Sequence, residues 1–289
     1  MKWLESKPIV EKMKEEDRAA VAALGFAPRL AIVWAGENTQ IEKFIALKKR
    51  YAEEVGVRVR EIHKPGDISG NQLRAVIKGI VHEPEGQPSC QGIVVQLPLP
   101  RPIDEATIFG AITPGKDVDV LTPLLMGKFL QRKAPWLPPV VAAIAALFDF
   151  YNIIVREKTI VVVGQGPLVG RPAAAWFLQK GARVLCTDKG DPKLAEVTHM
   201  ADILVAGVGN APRIINGEML KDGVIICDVA TSEAADGTIA GNVDIDSARE
   251  KAFAMTPLRG GIGPLTVAFV IRNTIEAAKR QQRRYRNAS

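Results

Sequence analysis

Residues 159–188, TIVVVGQGPLVGRPAAAWFLQKGARVLCTD, read as strand, tight turn, helix and strand. An apolar, β-branched run leads into Gly164, Gly166 and Gly170, and a helical pattern follows. Such a turn lets backbone N–H groups at a helix N-terminus face a pyrophosphate. The spacing is G-x-G-x-x-x-G, with Val169 in the third position of the strict dinucleotide fingerprint, and an ordinary tight βα turn is the alternative reading. The next run, ARVLCT, ends at Asp188, 24 residues after Gly164. A carboxylate there accepts hydrogen bonds from both ribose hydroxyls of NAD and repels the 2′-phosphate of NADP. Turn and acid, in that order, predict binding of NAD or NADP, with NAD favoured.

The same alternation extends in both directions. Downstream lie the apolar runs ADILVAGVG (201–209) and GVIICDVA (223–230), then a glycine loop and a long closing helix from Gly260. Upstream, RLAIVWAG (29–36), VRVREI (57–62) and GIVVQLPLP (92–100) read as strands, separated by helical patterns over 41–52 and 71–83. Strands alternating with helices mean parallel βαβ units, with ligands expected beyond the strands' carboxyl ends. Residues 101–139 are rich in proline and read as irregular, and 140–151 fits a helix. The expectation is an α/β protein of two lobes. Residues 1–139, completed by a C-terminal helix over 266–289, form the first; residues 140–265 form a Rossmann-type second lobe.

Composition bounds the function. Apolar residues make up 47% of the 289 positions and charged residues 24%, as in an ordinary globular protein. The longest apolar stretch, LPPVVAAIAALF (137–148), carries two prolines and is shorter than the roughly 20 residues of a membrane span. The opening MKWLESKPIVEKMKEEDRAA reads as a charged amphipathic helix rather than a leader, so a cytoplasmic protein without a membrane partner is expected. Cys90, Cys186 and Cys227 stand singly, and His63, His82 and His199 are scattered, which suggests neither a disulfide framework nor a metal site. Part of the net charge of +6 lies in the tail KRQQRRYRN, read as a solvated helix end rather than a nucleic-acid surface.

One side chain stands out. Within IEKFIALKKRY (41–51), Ile41, Phe44, Ile45 and Tyr51 fall on one helical face, and Lys48 projects from the same apolar stripe. A lysine there either snorkels to water or is aimed at chemistry.

Several stretches together resemble the bifunctional methylenetetrahydrofolate dehydrogenase/methenyltetrahydrofolate cyclohydrolase family: GIVVQLPLP, GKDVDV, VVGQGPLVGRP and TPLRGGIGPLT, in order and over nearly the whole chain. The resemblance implies a folate-binding lobe, a Rossmann-type lobe, an active site in a cleft between them, and a homodimer. It implies that Lys48 and Gln96 are catalytic, and that Phe44, in place of a tyrosine, stacks on the pterin of a tetrahydrofolate substrate. It implies that Asp119 holds the pterin's N–H groups and that Gly260, Gly261 and Pro264 also line the substrate. Gly164, Gln165, Gly166, Gly170 and Asp188 would bind the dinucleotide.

The departures lie near the same places. Ile41 replaces a serine, Gln91 an aspartate, Val120 a glycine and Asn242 an aspartate; Pro138-Pro139-Val140-Val141 stands for P-C-T-P, and Leu258-Arg259 for V-P. Gln165 stands where arginine is frequent, and Gly166 where serine is usual. A folate dehydrogenase with a less certain cyclohydrolase step is expected. The alternatives are a weakened paralogue acting as a folate- or dinucleotide-binding module, and a Rossmann dehydrogenase of another substrate.

Overall fold

The computed structural model describes residues 1–83, 89–234 and 237–288, with side chains described to Arg283 except that of Glu233. Along the chain run β1 (Lys2–Trp3), α1 (Lys7–Leu24), β2 (Arg29–Ala35), α2 (Thr39–Val55), β3 (Arg58–Lys64), α3 (Gly70–Val81) and β4 (Gly92–Val95). Then come α4 (Glu105–Phe109), α5 (Pro123–Leu130), α6 (Pro139–Phe150), β5 (Thr159–Val163), α7 (Gly170–Gln179), β6 (Arg183–Thr187), α8 (Leu194–His199) and β7 (Ile203–Ala206). The last stretch holds β8 (Val224–Asp228), β9 (Ser232–Glu233), β10 (Ile239–Ala240), α9 (Ile245–Ala248), β11 (Ala252–Met255) and α10 (Ile262–Ala288). Two compact units result: Glu11–Pro139 with Val267–Ser289, and Met1–Val10 with Val140–Thr266.

The first unit is built on a parallel sheet in the order β3-β2-β4. Alternation along the strands puts Ala31 and Val33 of β2 and Ile93 and Val95 of β4 on one face. There they pack with Leu73, Ile77 and Ile80 of α3 and Ile108 and Phe109 of α4. On the other face α10 crosses Gly92 so closely that an added Cβ would lie 2.9 Å from Thr274 Oγ1 and 2.8 Å from Val118 Cγ1. A buried polar cluster ties three helices together. Asp17 of α1 accepts hydrogen bonds from Tyr51 Oη of α2 at 2.9 Å and Arg272 Nε of α10 at 2.7 Å. From β2 the chain passes to β3 on one side, then returns past β2 to β4 on the other. The carboxyl ends of β2 and β4 therefore flank a topological switch point, where ligands bind in open α/β sheets.

The second unit holds a parallel sheet in the order β1-β11-β8-β7-β5-β6. Its switch point lies between β5 and β7, because the chain goes from β5 to β6 and then crosses back to β7. Val161, Val163, Leu204, Ala206 and Ile226 contribute to its core.

Two sequence expectations differ from the structure. Residues 1–10 group with the second unit, not the first: Lys2 and Trp3 pair with Ala254 and Met255 and cover the outer edge of β11. An open strand edge favours any chain that can supply its missing hydrogen bonds, and two residues are too few to show a period. Residues 101–139 are also not wholly irregular. Asp104 accepts from Thr107 N to start α4, and Thr122 from Leu125 N to start α5 with Pro123 in its first turn. No helix among the described residues is long and apolar enough to cross a membrane.

Candidate active site

The site in the first unit is assembled from three segments at the carboxyl end of its sheet. Helix α2 starts where Asn38 Oδ1 accepts from Gln40 N and Ile41 N, and it ends at Gly56, whose φ is +84°. Its buried stripe is Ile41, Ile45, Lys48, Tyr51, Ala52 and Val55, with Lys48 only 7% exposed. Phe44 is 37% exposed and lies off the face it shares with Ile41 and Ile45 in the sequence reading. It stands about 40° round the helix from Lys48, on the solvent-facing flank. An aromatic face presented there is free to stack.

Gln96 comes one residue after β4. Its N–H donates to Val33 O at 2.9 Å, extending the β4–β2 ladder and fixing where its side chain begins. Its Oε1 accepts from Lys48 Nζ at 2.6 Å. The lysine therefore does not snorkel to water; its amine is buried against an amide acceptor.

The third segment is 116–122. Lys116 O accepts from Ile93 N, so the segment runs alongside β4. Buried Asp117 accepts from Leu121 N at 3.1 Å and Thr122 N at 2.7 Å, while Trp136 Nε1 donates to its carbonyl. Asn273 Nδ2 of α10 holds Val118 O at 2.9 Å. Between these anchors stand half-buried Asp119 and fully buried Val120, the latter at φ +61°. A left-handed β-branched residue costs about 1–2 kcal/mol, and the bonds to Asp117 hold the turn against that cost. Desolvation pushes the Asp119 carboxyl up to about 6; the charge of Lys48 opposes this and that of Asp117 adds to it. Burial likewise lowers the Lys48 amine from its ordinary value, against the pull of Asp119. An amine drawn toward neutrality at an amide oxygen is suited to taking or giving a proton. A carboxylate beside it offers two acceptors to a paired donor.

The second unit carries the glycine turn. Gly164 N donates to Thr187 O, and Gly164 has φ +92° with no space for a Cβ, which would lie 2.8 Å from Gly207 O. At Gly170 a Cβ would fall 1.7 Å from Gly164 O, so α7 starts directly against the turn. Gly166 has open space around it. Val169, at the N-cap of α7, offers no side-chain bond to the first-turn N–H groups. Arg171 N donates to Gly166 O at 3.2 Å and Pro172 has no N–H, so the first turn of α7 offers an anion the Gly170 N–H and the positive end of the helix dipole; with the open space at Gly166, this fits a dinucleotide pyrophosphate. Asp188 is exposed one residue past β6; its Oδ2 accepts from Gln165 N at 3.3 Å and its Oδ1 from Lys189 N at 2.8 Å. The Gln165 carboxamide folds back, with Nε2 donating to Val162 O and Gly164 O.

Gly260, Gly261 and Pro264 lie past the end of β11, where Gly260 has φ +81° and Pro264 sits in the first turn of α10. The structure thus brings Lys48, Gln96 and Asp119 together, and gathers Gly164, Gln165, Gly170 and Asp188 around one turn. Sequence reasoning missed a buried polar cluster at the ends of β8 and β11. Asp228 accepts from Val243 N at 2.9 Å, and burial pushes its carboxyl up to about 7. Thr256 Oγ1 bonds both Asp228 N and Asp228 O. Fully buried Asn242 accepts from Val208 N and donates to Val208 O and Ala211 O. The local signals were an acid closing the apolar run VIICD and the departure at Asn242, and neither showed that the two segments meet.

Comparison with known proteins agrees with the two α/β units. Residues 4–119 match the catalytic domain, and residues 138–282 the NAD(P)-binding domain, of tetrahydrofolate dehydrogenase/cyclohydrolase. The bifunctional protein FolD of Methanoculleus marisnigri is 34% identical over 276 residues, covering 96% of each chain. The crystal structure of the bifunctional FolD dehydrogenase/cyclohydrolase from Campylobacter jejuni superposes with a TM-score of 0.89 at 31% identity, covering 97% of this chain and 99% of that one. The FolD of Trypanosoma brucei, complexed with NADP and an inhibitor, gives 0.88 at 28% identity, covering 96% and 97%. On these matches the chain belongs to the tetrahydrofolate dehydrogenase/cyclohydrolase family.

Proposed function

We propose that this protein oxidises 5,10-methylenetetrahydrofolate to the 5,10-methenyl cation with NAD(P), and hydrolyses that cation to 10-formyltetrahydrofolate. The observation that carries the reading is the buried Lys48–Gln96 bond beside Asp119, in a chain of this family. A bound nicotinamide supplies the hydride acceptor. Oxidation then asks the protein chiefly for positioning, since the two nitrogens flanking the new cation stabilise it. Phe44 offers a stacking face, and Asp119 takes the paired N–H groups of the pterin. Hydrolysis adds water to the cation's carbon, breaks one of that carbon's two C–N bonds and releases a proton, which an amine with lowered affinity for protons accepts. Lys48 fills that role, oriented by Gln96. Gly260, Gly261 and Pro264 complete the substrate side.

NAD is the preferred dinucleotide in this reading. The Asp188 carboxylate favours two ribose hydroxyls over a phosphate, and the Gln165 carboxamide is engaged by backbone carbonyls rather than offered to an anion. Lys189, Arg171 and Arg183 are the opposing charges, of which Arg183 already donates to Glu157 O. A cytoplasmic homodimer is the accompanying expectation, which sedimentation of the purified chain checks. The deciding assay follows methenyltetrahydrofolate absorbance with methylenetetrahydrofolate and either NAD or NADP. Formation with NAD is the expected result; no formation with either dinucleotide overturns the proposal.

A further inference from the structure

The first six residues do structural work in the second unit. Strand β1 pairs with β11, Leu4 N donates to Met255 O at 2.9 Å, and the chain arrives at Ser6, which is 1% exposed. Ser6 N and Ser6 Oγ both donate to one acceptor, Gly260 O, at 2.8 and 2.7 Å. A carbonyl oxygen has two lone pairs and can take both bonds at once. The backbone bond alone satisfies that carbonyl, so the hydroxyl is not needed to offset its desolvation. A second donor instead restricts how the peptide plane turns. The neighbouring geometry needs such a restriction. Gly260 has φ +81° with open space where a Cβ would stand, while a Cβ on Gly261 would lie 2.6 Å from Pro257 O. The loop is therefore tight at Gly261 and open beside Gly260, whose carbonyl is held by both Ser6 bonds.

We infer that Ser6 is a positioning residue: its hydroxyl orients the Gly260–Gly261 loop for the folate substrate. The inference rests on the proposed contact of Gly260, Gly261 and Pro264 with that substrate. Ser6 also precedes α1 in the place where a serine oxygen caps a helix, so a purely structural role must be separated from positioning.

The test uses the full chain and calorimetric titration with tetrahydrofolate and, separately, NAD, together with amide exchange of the 257–263 segment. Ser6→Ala is expected to weaken tetrahydrofolate binding about three- to tenfold, the scale of one neutral hydrogen bond. It should leave NAD affinity unchanged and speed exchange in the loop, and Ser6→Thr, which keeps the hydroxyl, should restore both. Unchanged exchange, or an equal loss of affinity for both ligands, overturns the inference. Gly261→Ala disturbs the loop directly and separates the two levels. If it weakens tetrahydrofolate binding while Ser6→Ala does not, the role of Ser6 falls and the loop assignment stands. If neither variant weakens it, both fall.

Discussion

Lys48 Nζ donates to Gln96 Oε1 at 2.6 Å, joining the third turn of α2 to the residue just beyond β4. Forty-eight residues separate the two in sequence, and two parallel strands bring them together. The pair lies at the switch point of the first sheet, where Asp119 shares its field.

Lys48→Met should abolish conversion of methenyl- to formyltetrahydrofolate and leave measurable dehydrogenase activity, because only the hydrolytic step needs the amine. Stability should not fall. The folded state lowers the amine's proton affinity, so folding opposes the charged form at every pH below the ordinary lysine value. Methionine of similar length removes that opposition. Parallel assays of the two steps and a thermal melt at neutral pH check both points; equal loss of both activities in a folded protein refutes the assignment.

Asp119 should make folate binding depend on pH. A carboxylate accepts two pterin N–H groups, whereas a carboxylic acid accepts them poorly. With its proton affinity raised to about 6, tetrahydrofolate affinity should climb as pH rises through that value and level off above it. Folding favours the protonated form, so this group's contribution to stability is present below its ordinary value of 3.8 and lost as pH rises through about 6. Asp119→Asn should flatten both profiles. Asp119→Ala should weaken folate binding by about 1–3 kcal/mol while sparing the dinucleotide. A titration series across this pH range decides it.

Asp188→Ser should move the ratio of kcat/KM for NAD over NADP toward NADP. The carboxylate's preference for ribose hydroxyls is worth about 1–3 kcal/mol as a charge-assisted hydrogen bond. A wild-type preference for NADP, or a ratio unmoved by the substitution, would show that the acid does not read the ribose.

Asp17→Ala should destabilise the first unit by about 3 kcal/mol, as when one partner of a buried charge pair is removed. It leaves Tyr51 Oη without its acceptor and Arg272 with Glu16 and Met13 O. Adding Tyr51→Phe should cost less than its effect alone, since the hydroxyl has already lost its partner. Denaturant melts of the two single variants and the double variant measure the coupling.

Much of the architecture was legible locally. The strands β2, β4, β5, β7 and β8 are apolar runs bounded by glycine, proline or acid, and their alternation with helices implies parallel pairing. Gly164 and Gly170 were legible because only a residue without Cβ fits where the chain doubles so closely on itself. Strand β1 was not legible: two residues carry no pattern, and their conformation exists only because the edge of β11 is there to pair with. The helices α4 and α5 are short and bounded by prolines, so their caps, Asp104 and Thr122, outweighed a composition that reads as loop.

The candidate site divides along the same line. Residue types at their spacings, Lys48 in an apolar stripe, Gln96 at a strand end and Asp188 after β6, stand in the sequence because short-range geometry sets them. What each group does electrostatically does not. The lowered proton affinity of Lys48 and the raised ones of Asp119 and Asp228 come from desolvation by segments distant in the chain. The exposure of Phe44 and the double bond from Ser6 to Gly260 likewise depend on which elements pack where. Layers and turns are legible in the residues alone, because periodicity and steric exclusion act over a few positions. Partners and protonation are set by the assembled fold, because burial and long-range hydrogen bonds exist once the sheets have formed.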